Sequence, residues 1–390
     1  MPRNIVILLD GTSNQITADR SNVLRLYGGL TKNDEQLVYY DPGVGTFGLA
    51  DGSSWRSALW KFWGMATGYG LDDNVKQAYR FLVENYRKDG EPDENGNTRD
   101  RIYIIGFSRG AYSARVLAGF INALGLIEPR SLNLLDYAYR DYKRIGEGGE
   151  GEHAFATMRL YERTLRPDRP PVRMLGLFDT VASVIERGPL LWRLKSHAYT
   201  DRNPSVESVF QAFAIDDVRT MFRPIHWEEG QEYWGSAFRH EAGARPQEVE
   251  QVWFPGYHAD VGGGHPEGES GLAKVPLLWL IDKAKTSNLK FSTRSVNALI
   301  LGKGEDNPRV APDPLGPKHN SLKWFWVPFE FIPRRKPKRS RRWSVLGWVL
   351  PLFEKRNVPE GAKLHRSLAD RKAQLGEWPD NAPEKYELVD

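Results

Sequence analysis

Asp100–Leu126 reads DRIYIIGFSRGAYSARVLAGFINALGL, and this stretch decides the fold. Ile102–Ile105 is a short β-branched and aromatic run, the mark of a buried strand. Gly106-Phe107-Ser108-Arg109-Gly110 follows at once. Ala111, Val116, Ala118, Phe120 and Leu124 then recur at helical spacing. A strand, a G-x-S-x-G turn and a helix in that order put the serine on a sharp elbow at the top of a sheet. Glycines on either side of Ser108 let strand and helix close together without Cβ collisions. The helix N-terminus beside the hydroxyl offers free N–H groups to developing negative charge. The competing reading is an ordinary tight turn with a satisfied serine.

Working back from the elbow, Ile5–Leu9 predicts a first strand ending in Asp10-Gly11-Thr12. A polar, glycine-bearing loop after a strand suits the carboxyl edge of a parallel sheet, where α/β sites gather. Gly11 and Thr12 are candidate backbone donors to an oxyanion, with Asp10 holding the loop. A haloacid-dehalogenase-type phosphatase would need a carboxylate where this chain has Leu8. Asn22–Leu30 is expected to be helical and Gln36–Tyr40 to be a strand. Residues 47–68 carry Phe47, Trp55, Trp60, Phe62 and Trp63 and suggest a flap over an apolar pocket. Val75, Ala78, Tyr79, Leu82, Val83 and Tyr86 form one helical face.

Working forward, residues 130–166 predict helices broken by an acidic, glycine-rich stretch. Val172–Phe178 predicts a strand that delivers Asp179 to its carboxyl end, where a triad acid belongs; a helix cap is the alternative role. Residues 203–226 suggest a helix, with Asp216, Asp217 and Arg219 as a structural charged group. Gln251–Phe254 predicts another strand, followed by PGYHADVGGGH at 255–265. That glycine-rich loop holds His258, with His265 as its rival, and Asp260 as a supporting carboxylate. Leu272–Lys285 predicts a closing amphipathic helix. Ser108, Asp179 and His258 then follow the order nucleophile, acid, base. Their expected chemistry is acyl transfer, with the Arg109 N–H and a Gly11–Thr12 N–H binding the oxyanion.

These segments together resemble the uncharacterised α/β-hydrolase domain shared with type VI secretion phospholipase effectors. The likeness lies in Leu9–Thr12, Tyr39–Thr46, Gly106–Arg115, Leu175–Ser183 and Trp253–Gly264, and covers roughly residues 3–285. It implies an α/β-hydrolase-like fold with a mostly parallel sheet flanked by helices, helical insertions and a C-terminal appendage. It also implies esterase or phospholipase activity on membrane lipids, with Ser108, Asp179 and His258 as the triad, and export by a type VI system. The alternative function is a non-catalytic module of the same fold that binds a membrane or partner.

Composition sets the outer limits. The 390 residues are 40% hydrophobic and 27% charged, an ordinary globular balance. One domain over 1–390 is expected, with its core at about 1–290 and the appendage at about 291–390. No apolar run approaches a membrane span and no signal-peptide core precedes Asp10, so a cytoplasmic location is expected. Zero cysteines exclude disulfides and a thiol nucleophile. No cofactor or metal is expected. The net charge is +4, but Arg334, Arg335, Lys336, Lys338, Arg339, Arg341 and Arg342 form one basic run; subtracting those seven leaves −3. The basicity is local, so no nucleic-acid partner is expected. Between Trp324, Phe325, Trp326 and Trp343, Trp348, Leu350, Phe353, the run suits peripheral contact with an anionic membrane. A solvated loop is the alternative. The expected substrate is an acyl lipid or small ester.

Overall fold

Buried β-branched runs build the centre of the computed structural model. It describes the chain except residues 12–19, 44–69, 94–95, 146–150, 182–184, 188–191, 195–196, 236–243, 323, 336–343 and 346. The strands are β1 (Asn4–Leu9), β2 (Gln36–Asp41), β3 (Arg101–Phe107), β4 (Val172–Phe178), β5 (Val206–Ala214), β6 (Glu248–Phe254), β7 (Ala362–His365) and β8 (Tyr386–Val389). They form one sheet in the order β8-β7-β6-β5-β4-β3-β1-β2. Every pairing in it is parallel. Among the described residues, this is the mostly parallel, helix-flanked sheet of an α/β-hydrolase-like fold.

Alternation along the strands sends side chains to two cores. Ile5, Ile7, Leu9, Ile102 and Ile104 face one layer, covered by α2 (Leu71–Asn85), α3 (Arg109–Leu124) and α4 (Leu135–Ile145). Val6, Leu8, Tyr103 and Ile105 face the other, covered by α1 (Asn22–Gly29), α7 (Lys274–Thr286) and α8 (Thr293–Leu299). With both faces buried, strands read as near-continuous apolar runs, as parallel sheets require. The helix α5 (Gly151–Leu165) continues the expected helical region after α4.

Residues 203–226 do not form the expected helix. Val206–Ala214 is the buried strand β5, paired with β4 and β6. Its apolar residues at 206, 209, 210 and 213 mimic helical spacing. A strand buried on both faces has no polar alternation to reveal it. The residues expected as an appendage supply β7 and β8, the outer strands of the same sheet, and the helix α9 (Arg366–Leu375). They also pack a third apolar group of Val358, Leu364 and Leu368 on Phe213 and Trp253.

Strand order reverses at β1, which pairs with β2 on one side and β3 on the other. Ligand crevices of open α/β sheets open at the carboxyl ends of strands beside such a switch. The elbow and the loop after β1 both lie there.

Candidate active site

Ser108 links β3 to α3 at φ 58° and ψ −120°, outside the comfortable regions for a residue with a Cβ. Its amide donates to the Phe178 carbonyl at 3.0 Å. Gly106 lets the chain turn sharply onto its own helix, and Gly110 lets the end of β1 come up against that helix. A Cβ at Gly106 would lie 2.5 Å from the Gly110 carbonyl oxygen, and one at Gly110 only 2.1 Å from that of Leu9. Asp179 follows β4 in another strained conformation, φ 39°. Strain of this kind persists where surrounding contacts over-determine it.

His258 opens the short helix α6 (His258–Gly262) after β6. Its Nδ1 lies 2.5 Å from Asp179 Oδ2, and its Nε2 lies 2.8 Å from Ser108 Oγ. An ionised carboxylate can only accept, so Nδ1 carries the proton and the bare Nε2 accepts from the Ser108 hydroxyl. Burial pushes the His258 pKa below its ordinary value, against the opposing pull of Asp179. Burial alone would raise the Asp179 carboxyl, but the Arg356 guanidinium and His258 outweigh it and hold it well below the usual range. Ser108 is 9% exposed and Asp179 fully buried.

Arg356 completes the site from far along the chain. Its Nη1 donates to Asp179 Oδ1 at 2.5 Å and its Nη2 to Oδ2 at 2.9 Å, a bidentate pair. Two further donations, to the Ala214 and Phe222 carbonyls, fix the guanidinium. The Ala214 amide adds a bond to Asp179 Oδ1. No motif surrounds Arg356; only the chain path through the third apolar group brings it there. The charged group after β5 holds the histidine loop. Asp217 pairs with Arg219 at 2.7 Å and accepts the His258 amide at 3.3 Å, while Asp216 accepts the Gly256 amide at 2.7 Å. Phe107 and Phe222 each set a ring 4.8 Å from the His258 imidazole.

Asp10 is engaged as a loop-holding residue. Its carboxylate accepts from Ser21, which caps α1, and from Tyr40 at 2.9 Å. It also accepts the Gly11 amide at 2.7 Å. The Gly11 N–H, expected as an oxyanion donor, is bonded to this neighbouring carboxylate here. Thr12, the aromatic segment 47–68, Lys336, Lys338, Arg339, Arg341, Arg342 and Trp343 lie outside the described residues. Arg334 and Arg335 form a short antiparallel pairing with Trp348 and Val349. Arg109 is the first residue of α3. Asp260 lies in α6 and accepts the Tyr257 amide at 2.8 Å, bracing the loop behind His258. His265 lies against Asp260 instead of Ser108.

A serine on a strand–helix elbow, facing a histidine and a carboxylate at the edge of a parallel sheet, defines an α/β-hydrolase-like architecture. The family described as "T6SS, Phospholipase effector Tle1-like, catalytic domain" matches residues 3–283, and the chain belongs to it. A Saccharomyces cerevisiae relative, "Uncharacterized protein YEL023C", is 31% identical over 235 residues, covering 57% of this chain and 32% of its own. Among solved structures, an uncharacterized protein from Pseudomonas aeruginosa is 19% identical, with a TM-score of 0.42 over 75% of this chain and 46% of that one. The Tle1 effector bound to the VgrG spike from the Type 6 secretion system is 21% identical, with a TM-score of 0.32 over 70% and 53%. The chain thus spans about a third of the curated relative and about half of each solved chain. Among the described residues, no helix is long and apolar enough to cross a membrane.

Proposed function

We propose that this chain is a serine hydrolase that cleaves carboxylic esters of membrane lipids through an acyl-enzyme. One observation carries the reading: His258 bridges Ser108 and Asp179 at 2.8 and 2.5 Å. In this mechanism Nε2 of His258 takes the Ser108 proton as Oγ attacks the ester carbonyl. The tetrahedral oxyanion collapses, the alcohol leaves with the proton from His258, and the acyl group stays on Ser108. Water then repeats the sequence and releases the fatty acid. Asp179 holds the imidazole in the required tautomer and stabilises imidazolium. The α3 N-terminus at Arg109 supplies one oxyanion donor, a contribution of about 100- to 1,000-fold in rate. The second donor in this reading is an N–H of the Gly11–Thr12 loop, and Gly11 would have to release the Asp10 carboxylate to serve.

The test is covalent. A fluorophosphonate probe should label the wild type at Ser108, and Ser108→Ala should lose ester turnover by roughly 10⁵- to 10⁶-fold, the scale of removing a triad nucleophile. An unlabelled wild type with no turnover of any acyl ester would favour the non-catalytic binding module.

Family membership supports a lipid substrate and delivery by a type VI system. Loss of the protein from culture medium on deletion of that system's spike tests delivery. Lipid carbonyls lie below the head groups, and we assign the approach to the basic run 334–342, at about 1 kcal/mol per charge near an anionic surface. Changing its seven basic residues to Ser should weaken binding to anionic liposomes at low salt and spare hydrolysis of a water-soluble short-chain ester. Equal liposome binding by both proteins would assign the run to a solvated loop.

A further inference from the structure

Asp260 lies two residues past His258 and is 1% exposed. Its Oδ2 is taken by two amides, those of Tyr257 at 2.8 Å and His319 at 3.0 Å. Its Oδ1 faces two imidazoles, with His319 Nδ1 at 2.8 Å and His265 Nε2 at 3.3 Å. The two rings lie 4.1 Å apart between centroids. His265 Nε2 is buried, yet among the described residues it makes no well-directed hydrogen bond, only this longer approach. His319 poses the complementary problem. Its other nitrogen, Nε2, lies 3.4 Å from Glu269 Oε2, so both ring nitrogens face carboxylates. A neutral imidazole has one N–H and can satisfy only one of them.

We infer that Asp260, His265 and His319 form a binding site for a borderline divalent metal, with Zn²⁺ the best match. Three ligand atoms, one from each residue, lie within 4.8 Å of one another. Zinc binds imidazole nitrogen and carboxylate oxygen at about 2.0–2.2 Å, which sets neighbouring ligand atoms roughly 3–3.5 Å apart. The contacts at 2.8 and 3.3 Å fall close to that spacing. The metal uses the lone pair of His265 Nε2, which among the described residues meets no donor. It also takes Nδ1 of His319, freeing the Nε2–H to donate to Glu269. Glu269 then acts from outside, orienting a ligating histidine and raising its basicity. Two nitrogens and one oxygen favour zinc or cobalt over magnesium, which demands an octahedral set of oxygens. Three protein ligands leave a fourth position for water. The site ties the 257–265 loop, which carries His258, to the segment at His319, so its role is to position that loop. It requires no chemistry at Ser108.

The experiment uses the full chain, freed of any polyhistidine tag and dialysed against chelator. Calorimetric titration with Zn²⁺ should give one site per chain, Co²⁺ should give a ligand-field absorption, and Zn²⁺ but not Mg²⁺ should raise the melting temperature. His265→Ala and His319→Ala should each weaken Zn²⁺ binding at least about 100-fold, and Glu269→Gln about 10-fold, the scale of an outer-shell loss. Both histidine side chains are only about a fifth exposed, so circular dichroism should accompany each variant, with His319→Gln as the conservative second test. No Zn²⁺ binding by the wild type would overturn the site, as would folded histidine variants that bind as tightly. Equal stabilisation by Mg²⁺ would also overturn it, because a site of two imidazoles and one carboxylate does not take magnesium as well as zinc.

Discussion

Arg356 holds the buried carboxylate of Asp179 with a bidentate ion pair beside Ser108. Asp179 is fully buried, and a buried carboxylate is tolerable only when paired and hydrogen-bonded. Arg356 supplies two of its donors and is itself 2% exposed. Arg356→Met should therefore leave an uncompensated charge and cost about 3–5 kcal/mol in stability. Arg356→Lys should recover part of it, since one ammonium cannot reproduce a bidentate fork. Urea unfolding of the three proteins checks this; a Met variant within about 1 kcal/mol of wild type would show that Asp179 does not depend on the pair. Ser108 and Gly106 illustrate the opposite case. The φ of Ser108 and the Gly106 contact with Gly110 are local and written into the motif, whereas Gly110 is required by the end of β1 at Leu9, which only the folded sheet brings there.

At the level of elements, caps and strand ends decide where groups sit. His365 ends β7, caps α9 by accepting the Ser367 amide at 3.2 Å, and stacks on Phe254 with centroids 4.5 Å apart. Burial lowers its pKa from 6.5 to about 4. The unfolded chain then binds a proton that the folded state refuses, so stability rises with pH across that window. The contribution is complete above about pH 6.5, shrinks as pH falls, and levels off below about pH 4. At pH 5 the loss is about 2 kcal/mol, from roughly 1.4 kcal/mol per pH unit. Protonation also removes the lone pair that caps the helix. His365→Asn keeps an acceptor but not the titration, so its denaturation midpoint should fall less between pH 7.5 and pH 5. Parallel pH profiles for the two proteins would assign the acid sensitivity elsewhere.

Across the whole molecule, the sheet does not end where the family match ends. The match stops at residue 283, yet β7, β8 and Arg356 come later in the chain. Leu364 and Leu368 pack beside Phe213 and Trp253, and β7 covers the edge of β6. A chain cut after residue 285 would expose that edge and strip Asp179 of its guanidinium. Exposed edges of this kind invite aggregation. The truncated chain should be insoluble or lack a cooperative melt. A soluble fragment with full ester turnover would make the C-terminal hundred residues dispensable.

Local chemistry determined a good deal by itself. The elbow was legible because G-x-S-x-G, a β-branched strand and a helical pattern each constrain neighbouring residues. Asp179 and His258 were legible because each follows a strand directly, and parallel strands bring such ends to one edge. Other features had no local signal. β5 hid behind helical spacing because burial on both faces erases alternation. Arg356, 177 residues from Asp179, and His319, 59 from Asp260, meet their partners only through the folded chain path. Sequence encodes directly what depends on residues within a turn or a strand; long-range ion pairs and shared ligands depend on where the completed sheet and its loops bring the chain.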